Sequence, residues 1–290
     1  MKQYKKYLPY ILIASIFISA FIIWRIIYIS SQNGIYLKVA FLDVGQGDSI
    51  YIQAPNGKQL LIDGGPDGKV LTQLAEVMPF GDRSIDMILA THPDQDHIGG
   101  LPLVLSRYNI SNIIEDGVVS ESKVYKELEQ DITKNKIKKI IAKRGMQIIL
   151  DQNKNIYLDI LYPDRDVSTL DSNDGSIVCK LVYGNESFML TGDATTYVEN
   201  AIEWNETSET LHSQVLKLGH HGSKTSSSEL WLEKVHPDMA IISVGRDNKY
   251  GHPNKETLDK LNNLHIPYLM TEDEGNIIFQ TDGVNLEKIK

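Results

Sequence analysis

The chain has 290 residues, of which 42% are hydrophobic and 23% are charged, and its formal net charge is −9 at pH 7. This composition is ordinary for one globular domain with an appendage. The negative charge argues against a protein whose whole surface binds nucleic acid, although residues 214–255 are mildly basic. The single cysteine, Cys179, excludes an internal disulfide and a cysteine-based zinc cluster.

Residues 1–30 are predicted to form a short cytoplasmic tip and a transmembrane helix. The run without a charged residue, from Leu8 to Trp24, has about 17 residues, or ~22 if Arg25 extends its charge to the interface, and a bilayer core of roughly 30 Å needs about 20. A cleaved signal peptide is the alternative, but its apolar stretch is normally shorter and ends in small residues. The length of the run therefore predicts an uncleaved, single-pass anchor in the cell membrane. The lysines before the run predict that the body lies on the extracellular side.

Residues 31–34 are predicted to be a linker, and residues 35–290 to form the body. The body opens with three strands of alternating polarity that are separated by glycine-rich turns. These strands are predicted at residues 35–42, 49–53 and 59–62. The remaining elements of this half are predicted as a helix at 71–78, a strand at 85–90 and helices at 101–108 and 124–139.

The second half repeats the alternation of strands and helices from residue 147 onward. Its strands are predicted at residues 148–150, 156–162, 176–183, 187–190, 215–218 and 239–244. Its helices are predicted at residues 195–203, 227–235 and 255–264. Two β-rich halves of this kind predict an α/β fold in which two sheets pack face to face with helices outside. The pattern favours no particular oligomeric state.

The loop at residues 91–100 concentrates metal-binding side chains. It follows the buried strand at 85–90 and holds His92, Asp94, Asp96 and His97 within six residues. The bland alternative is a polar turn that caps the next helix, but a cap needs one oxygen and not four ligand-type side chains. The loop therefore predicts a metal site at the end of a strand, where α/β folds commonly place reacting groups.

Six further motifs along the body, together with this loop, resemble the metallo-β-lactamase-fold domain of ComEC-type DNA-uptake proteins. The motifs are FLDVGQGDS at 41–49, DGG at 63–65, LTGD at 190–193, LGHHGS at 218–223, SVG at 243–245 and YGHP at 250–253. The resemblance covers residues 35–282. It implies an αββα sandwich with one or two divalent metal ions between the loops at one edge, and hydrolysis of a phosphodiester or related bond. ComEC-type proteins also carry a multi-spanning channel, which this chain does not match, so DNA transport does not follow.

The resemblance also implies a ligand set. His92, Asp94 and Asp193 correspond to the ligands of a first metal ion. Asp96, His97 and His252 correspond to those of a second, with Asp193 placed to bridge. Asp94 stands where many relatives have histidine, and a site richer in oxygen shifts the preference from Zn²⁺ toward Mn²⁺, so both ions remain candidates.

Two histidines at the end of the strand at 215–218 are further candidates. Either His220 or His221 is predicted to bind metal or to donate a proton to the leaving group, with His221 favoured. Ser223 and Lys224, before a helix start with free N–H groups, are predicted to contact phosphate. Asp63 is predicted to orient a ligand from behind.

The predicted reaction uses a metal-activated water, and Asp96 is the alternative base that orients this water. The predicted activity is therefore a membrane-anchored, metal-dependent phosphodiesterase or nuclease. A phosphorylcholine esterase or another hydrolase of cell-envelope substrates is one alternative. A non-catalytic module for DNA binding or assembly is the other, because fold analogy does not fix a substrate.

Overall fold

The computed structural model describes residues 4–32, 34–246 and 248–290. The helices are α1 (Tyr4–Gln32), α2 (Lys69–Val77), α3 (Gln95–Ile98), α4 (Leu101–Arg107), α5 (Lys123–Lys134), α6 (Thr196–Asn205), α7 (Ser208–Leu211), α8 (Glu229–Val235), α9 (Lys255–Asn263) and α10 (Thr271–Glu274). Short 3₁₀ turns lie at Asn173–Gly175 and Gly219–Gly222.

Fifteen strands are present in the part of the chain that the structure describes. They are β1 (Leu37–Phe41), β2 (Ile50–Gln53), β3 (Gln59–Ile62), β4 (Ser84–Ala90), β5 (Asn109–Glu115), β6 (Lys138–Ile141), β7 (Gln147–Asp151), β8 (Ile156–Tyr162), β9 (Val178–Tyr183), β10 (Glu186–Leu190), β11 (Val215–Lys217), β12 (Met239–Ile242), β13 (Tyr268–Met270), β14 (Ile277–Thr281) and β15 (Leu286–Lys288).

These strands form the two predicted sheets. The first has the order β15-β14-β1-β2-β3-β4-β5-β6, and the second has the order β13-β12-β11-β10-β9-β8-β7. Each sheet is mixed: β3 to β6 pair in parallel in the first, and β10 to β13 pair in parallel in the second. The parallel segments place the carboxyl ends of neighbouring strands at one edge of each sheet.

Three apolar layers confirm the predicted αββα sandwich. The middle layer lies between the sheets, where Phe188 of the second sheet packs edge-on against Phe279 of the first at a centroid distance of 6.0 Å. A second layer packs α2, α4 and α5 on the outer face of the first sheet, and a third packs α6 and α8 on the second. Burial of these faces fixes the register of the strands.

The N-terminal helix differs from the sequence prediction. Among the residues that the structure describes, no helix is both long enough and apolar enough to cross a membrane. The transmembrane helix predicted within residues 1–30 is therefore not supported by the described residues. Helix α1 continues to Gln32, so part of the predicted linker at 31–34 is helical, and Asn33 lies outside the described residues.

The predicted helix at 124–139 is also corrected. Helix α5 ends at Lys134, and Lys138–Ile141 form the edge strand β6, which pairs in parallel with β5. The strand β5 was missing from the sequence prediction, and without it the partner of β6 was not apparent. The local pattern of lysine and isoleucine is compatible with a helix or with a strand, and pairing with β5 makes it a strand.

Candidate metal centre

The candidate site is built from loops that follow five parallel strands. His92 follows β4, Asp63 follows β3, Asp193 follows β10, His221 follows β11, and Ser243 follows β12. Because the two sheets pack face to face, the carboxyl ends of these strands meet at one edge of the sandwich. The fold therefore assembles the site from segments that lie far apart in the sequence.

Four predicted residues form a compact group: Asp96, His97, Asp193 and His221. One ligand atom from each lies within 4.8 Å of the others. The Nε2 atoms of His97 and His221 are 3.3 Å apart. Asp193 lies 3.1 Å from Nε2 of His97 through Oδ1 and 3.4 Å from Nε2 of His221 through Oδ2. Two imidazole nitrogens and two carboxylates that converge on one point suit a divalent ion.

His97 is held by a buried carboxylate behind it. Its Nδ1 donates to Oδ2 of Asp63 at 2.7 Å, which leaves Nε2 directed into the site. Asp63 in turn accepts hydrogen bonds from the backbone N–H and the hydroxyl of Thr91, at 2.8 and 2.7 Å. Asp63 thus has the contacts that the sequence analysis predicted for a residue that orients a ligand.

His221 is fixed by a backbone carbonyl. Its Nδ1 donates to the carbonyl of Ser243 at 2.8 Å, so Nε2 faces the site, where it lies 3.3 Å from Oδ2 of Asp96. Both His220 and His221 have left-handed backbone conformations, with φ of 49° and 54°. This uncommon conformation turns the two neighbouring rings to different places around Asp193.

His92 and Asp94 stand beside the compact group. The ring of His92 lies 4.1 Å from that of His97, and its buried Nε2 has no hydrogen-bond partner in the described part of the protein. Oδ2 of Asp94 lies 3.7 Å from this nitrogen. A buried ring nitrogen without a partner is costly, and a metal ion at that position would satisfy it. The residues present therefore fit a divalent cation.

His252 and His220 lie at the outer side of the site and not within the compact group. The two rings are 5.4 Å apart, and Nε2 of His220 is 3.7 Å from Oδ2 of Asp193. Both line a cavity of about 100 Å³ that opens over the site, and its other lining residues are Gln46, Asp94, Asp96, Asp193, His221 and Tyr250. His221 thus joins the compact group with Asp96 and His97, and the role of His252 as a ligand of a second ion stays a prediction.

Some of the polar groups at the predicted phosphate site already have partners within the protein, and contact of Ser223 and Lys224 with phosphate stays a prediction. The hydroxyl of Ser223 lies 3.0 Å from that of Thr225, and the backbone N–H of Lys224 donates to Asn254 at 2.8 Å. The N–H groups of Ser227 and Ser228, before α8, donate to the buried carboxylate of Glu199. Glu199 therefore fills the position that was predicted to receive a phosphate.

Two further residues, Lys217 and Asp48, lie behind the site and were not predicted from the sequence. Lys217, at the end of β11, is fully buried and forms an ion pair with Asp48, and its Nζ lies 3.7 Å from Asp193. Asp48 follows Gly47, where an added Cβ would lie 2.1 Å from the carbonyl oxygen of Asp96, so the close approach of these loops requires glycine. In the sequence, the position of Lys217 inside the apolar strand β11 was the one sign that it could be buried.

The candidate ligands differ in charge: His92 is neutral, whereas Asp193 and His221 stabilise each other's charged forms. Burial lowers the pKa of His92 well below its usual value, so this imidazole is neutral and able to bind metal. Burial would raise the pKa of Asp193, but His221 and His97 outweigh it and hold this pKa well below the usual value. Burial would likewise lower the pKa of His221, yet Asp193 and Asp96 raise it to about 9.

The sequence of the chain shows the family to which it belongs. Residues 42–246 match the sequence model of the Metallo-beta-lactamase superfamily, which is more than half of the chain. The chain therefore belongs to the metallo-β-lactamase superfamily, whose fold is that of a metal-dependent hydrolase.

The chain is also similar to individual curated proteins, two of which are much longer. The chain is 32% identical over 264 residues to ComE operon protein 3 of Bacillus subtilis (strain 168), covering 84% of this chain and 33% of that protein. It is 32% identical over 246 residues to Recombination protein 2 of Haemophilus influenzae, covering 83% and 28%. The chain thus spans about a third of the length of these curated relatives. It is also 32% identical over 80 residues to Exodeoxyribonuclease WalJ of Streptococcus pneumoniae, covering 27% and 29%.

Proposed function

We propose that this chain is a metal-dependent phosphodiesterase that cleaves DNA. The observation that carries the proposal is the carboxylate-rich ligand group: three aspartates, Asp94, Asp96 and Asp193, line the same small, open cavity as His221. Oxygen ligands suit metal ions that bind phosphate oxygens. The similarity to an exodeoxyribonuclease over 80 residues supports the same substrate class.

The side chains divide the work between metal binding and orientation of the attacking water. A bound divalent ion supplies Lewis-acid activation and lowers the pKa of a coordinated water. Asp96 is about 29% exposed at its side chain and faces the cavity, so it is the residue placed to orient the attacking water. His220 is partly exposed and has a lowered pKa because of burial, so it is neutral and able to bind metal or hydrogen-bond to substrate.

We propose Mn²⁺ or Zn²⁺ as the bound ion. His92, His97 and His221 would supply nitrogen, which suits Zn²⁺, whereas the three aspartates would supply oxygen, which suits Mn²⁺. Metal-stripped protein reloaded with each ion in turn, and assayed for bound metal and for activity, distinguishes the two. We expect both ions to bind and Mn²⁺ to give the faster cleavage of DNA.

The direct test uses the full chain with single-stranded DNA, duplex DNA, bis(p-nitrophenyl) phosphate and nitrocefin. We expect Mn²⁺-dependent cleavage of DNA and of the model phosphodiester, and no cleavage of nitrocefin. Asp193→Asn should abolish cleavage while leaving the fold intact, as judged by circular dichroism. Asp238→Asn, which changes an exposed aspartate outside the cavity, is the matched control and should cleave at the wild-type rate.

Each other outcome selects a different function. DNA that is retarded on a gel but never cleaved would favour a non-catalytic DNA-binding module. Release of choline from phosphorylcholine-bearing wall polymers, without cleavage of DNA, would favour the cell-envelope hydrolase. The cellular location stays a prediction from the sequence, and separation of membrane and soluble fractions, followed by protease treatment of intact cells, tests it.

A further inference from the structure

Lys217 is a buried, positively charged side chain next to the metal ligands, and a metal centre does not by itself require such a residue. Among the lysine side chains that the structure describes, it is the one that is buried, and its exposure is 0%. A buried ammonium group is costly unless its charge is balanced, and lysine is among the residues least often buried. It also places a positive charge beside a site that fits a divalent cation. Its position therefore needs a specific reason.

The surroundings of the ammonium group consist of oxygen atoms. Nζ of Lys217 pairs with Oδ2 of Asp48, donates to the carbonyl of Gly192 at 2.8 Å, and lies 3.7 Å from Oδ1 of Asp193. Two carboxylates and a carbonyl are the kind of ligands that a hard metal ion takes. The ammonium group thus occupies a position with the chemistry of a cation site.

Asp48 connects this position to the metal ligands. Its Oδ1 lies 3.5 Å from Nδ1 of His221, and its Oδ2 lies 3.9 Å from Nδ1 of His97. Asp193 belongs both to the surroundings of Lys217 and to the compact ligand group. Lys217 therefore lies directly behind the ligands, and its charge acts on the same carboxylate that a bound ion would contact.

We propose that Lys217 is a resident cation of the metal centre, which balances the charge of Asp48 and Asp193 before a metal ion binds, and that its positive charge weakens metal binding. Lys217 and the divalent ion are then electrostatic substitutes for one another. The proposal concerns metal binding and folding, so it stands or falls independently of DNA cleavage.

The proposal predicts opposite effects on the metal-free and the metal-bound protein. Lys217→Met retains the length of the side chain and removes its charge. In the metal-free protein it leaves two buried carboxylates without their cation, so the melting temperature should fall by several degrees. The affinity for Mn²⁺ should rise about 10- to 100-fold, because the more negative site attracts the ion more strongly.

The matched control is Lys180→Met. Lys180 lies on β9 of the same sheet, and its half-buried ammonium donates to the carbonyls of Thr210 and His212 at 2.7 and 2.6 Å. Its loss should lower the melting temperature with and without metal by the same amount. The measurements are the melting temperature of metal-stripped full chain, its rise at saturating Mn²⁺, and the dissociation constant from calorimetry.

The rise in melting temperature on adding Mn²⁺ decides the proposal. We expect a larger rise for Lys217→Met than for the wild type and for Lys180→Met. An equal rise would show that Lys217 only fills space, and a smaller rise would show that it preserves ligand geometry, and either result would overturn the proposal. If Lys217→Met folded only in the presence of Mn²⁺, this result would also support the proposal, because it is the extreme form of the expected larger rise.

A double variant keeps the test decisive if Lys217→Met fails to fold under any condition. Lys217→Met with Asp48→Asn removes one buried charge of each sign, so the net charge of the site matches that of the wild type. We expect the metal-free double variant to fold and its affinity for Mn²⁺ to lie within about threefold of the wild-type value. A double variant that is as unstable as Lys217→Met would refute the role of Lys217 as a counter-ion.

Discussion

The inner wall and the outer rim of the metal centre are built in different ways. On the inner wall, His97, His221 and Asp193 are buried, and each histidine is held by a second contact, from Asp63 or from the carbonyl of Ser243. On the rim, the Asp94 side chain is 43% exposed and Tyr250 is 69% exposed. Preorganised ligands belong where a metal ion must be held, and exposed ones belong where a substrate must enter.

The largest effect should come from a change to the inner wall. His97→Gln removes one nitrogen of the compact group and the partner of the buried Asp63. We expect the affinity for Mn²⁺, measured by calorimetry, to fall more than about 100-fold. Loss of a ligand should weaken metal binding more than loss of a residue that only orients a ligand, which typically weakens it about 10- to 100-fold. His220→Gln, the rim counterpart, should weaken binding by less than about tenfold. Equal losses for the two variants would remove the distinction between wall and rim.

A smaller effect is expected one contact further from the metal position. Asp63→Asn keeps the shape of the side chain but weakens its hold on Nδ1 of His97 and on the hydroxyl of Thr91. Residues that orient a metal ligand typically contribute about 10- to 100-fold to metal affinity or activity. We expect a loss in that range in a Mn²⁺ titration. An affinity unchanged from the wild type would mean that packing alone orients His97.

The inner wall should also give the metal-free protein a characteristic dependence on pH. The pKa of His221 is raised from 6.5 to about 9 because Asp193 and Asp96 outweigh the effect of burial. The folded protein therefore holds a proton that the unfolded chain has released, and the stabilisation is complete below about pH 6.5 and lost as the pH rises through 9.

Melting temperatures of metal-stripped protein between pH 6 and pH 10 measure this dependence. We expect the decline to be shallower in His221→Gln, which lacks the titrating group. Saturating Mn²⁺ should also reduce it, because a ligated imidazole is neutral. An identical decline in the wild type and in His221→Gln would show that another group is responsible.

The sequence predicted the sandwich and the ligand loop because both depend on local patterns. The alternating strands at 37–41 and 50–53 and the loop after β4 are readable without knowledge of their partners. Strands β5, β6 and β13 to β15 were not predicted, because their place depends on pairing with distant segments. The register of β14 with β1, for example, joins residues more than 230 positions apart.

The arrangement of ligands was less predictable than their identity. His221 was recognised as a candidate, but the side to which its ring turns depends on the left-handed conformations of His220 and His221. Lys217 was not recognised, because in the run from Val215 to Leu218 it fits a strand that ends at the surface. Only the packing of β11 between β10 and β12 shows that it is buried behind Asp193.

The rim should show the smallest effect and the one most specific to substrate. The ring of Tyr250 lies nearly parallel to that of His252, at 12° and a centroid distance of 5.9 Å, and lines the cavity above the ligands. An exposed aromatic face beside a phosphodiester site is suited to stack on a nucleotide base. We expect Tyr250→Ala to raise KM for single-stranded DNA about 5- to 10-fold with little change in kcat, whereas Tyr250→Phe should match the wild type.

Two controls separate base stacking from other losses at the rim. Trp204→Ala removes an aromatic ring that is 91% exposed on α6, outside the cavity, and should leave KM unchanged. An oligonucleotide with abasic positions should bind the wild type and Tyr250→Ala with the same KM, because it offers no base to stack. If Tyr250→Ala raised KM for the abasic substrate as much as for normal DNA, the ring would be needed for the shape of the loop around His252. The rim would then have the same structural role as the inner wall.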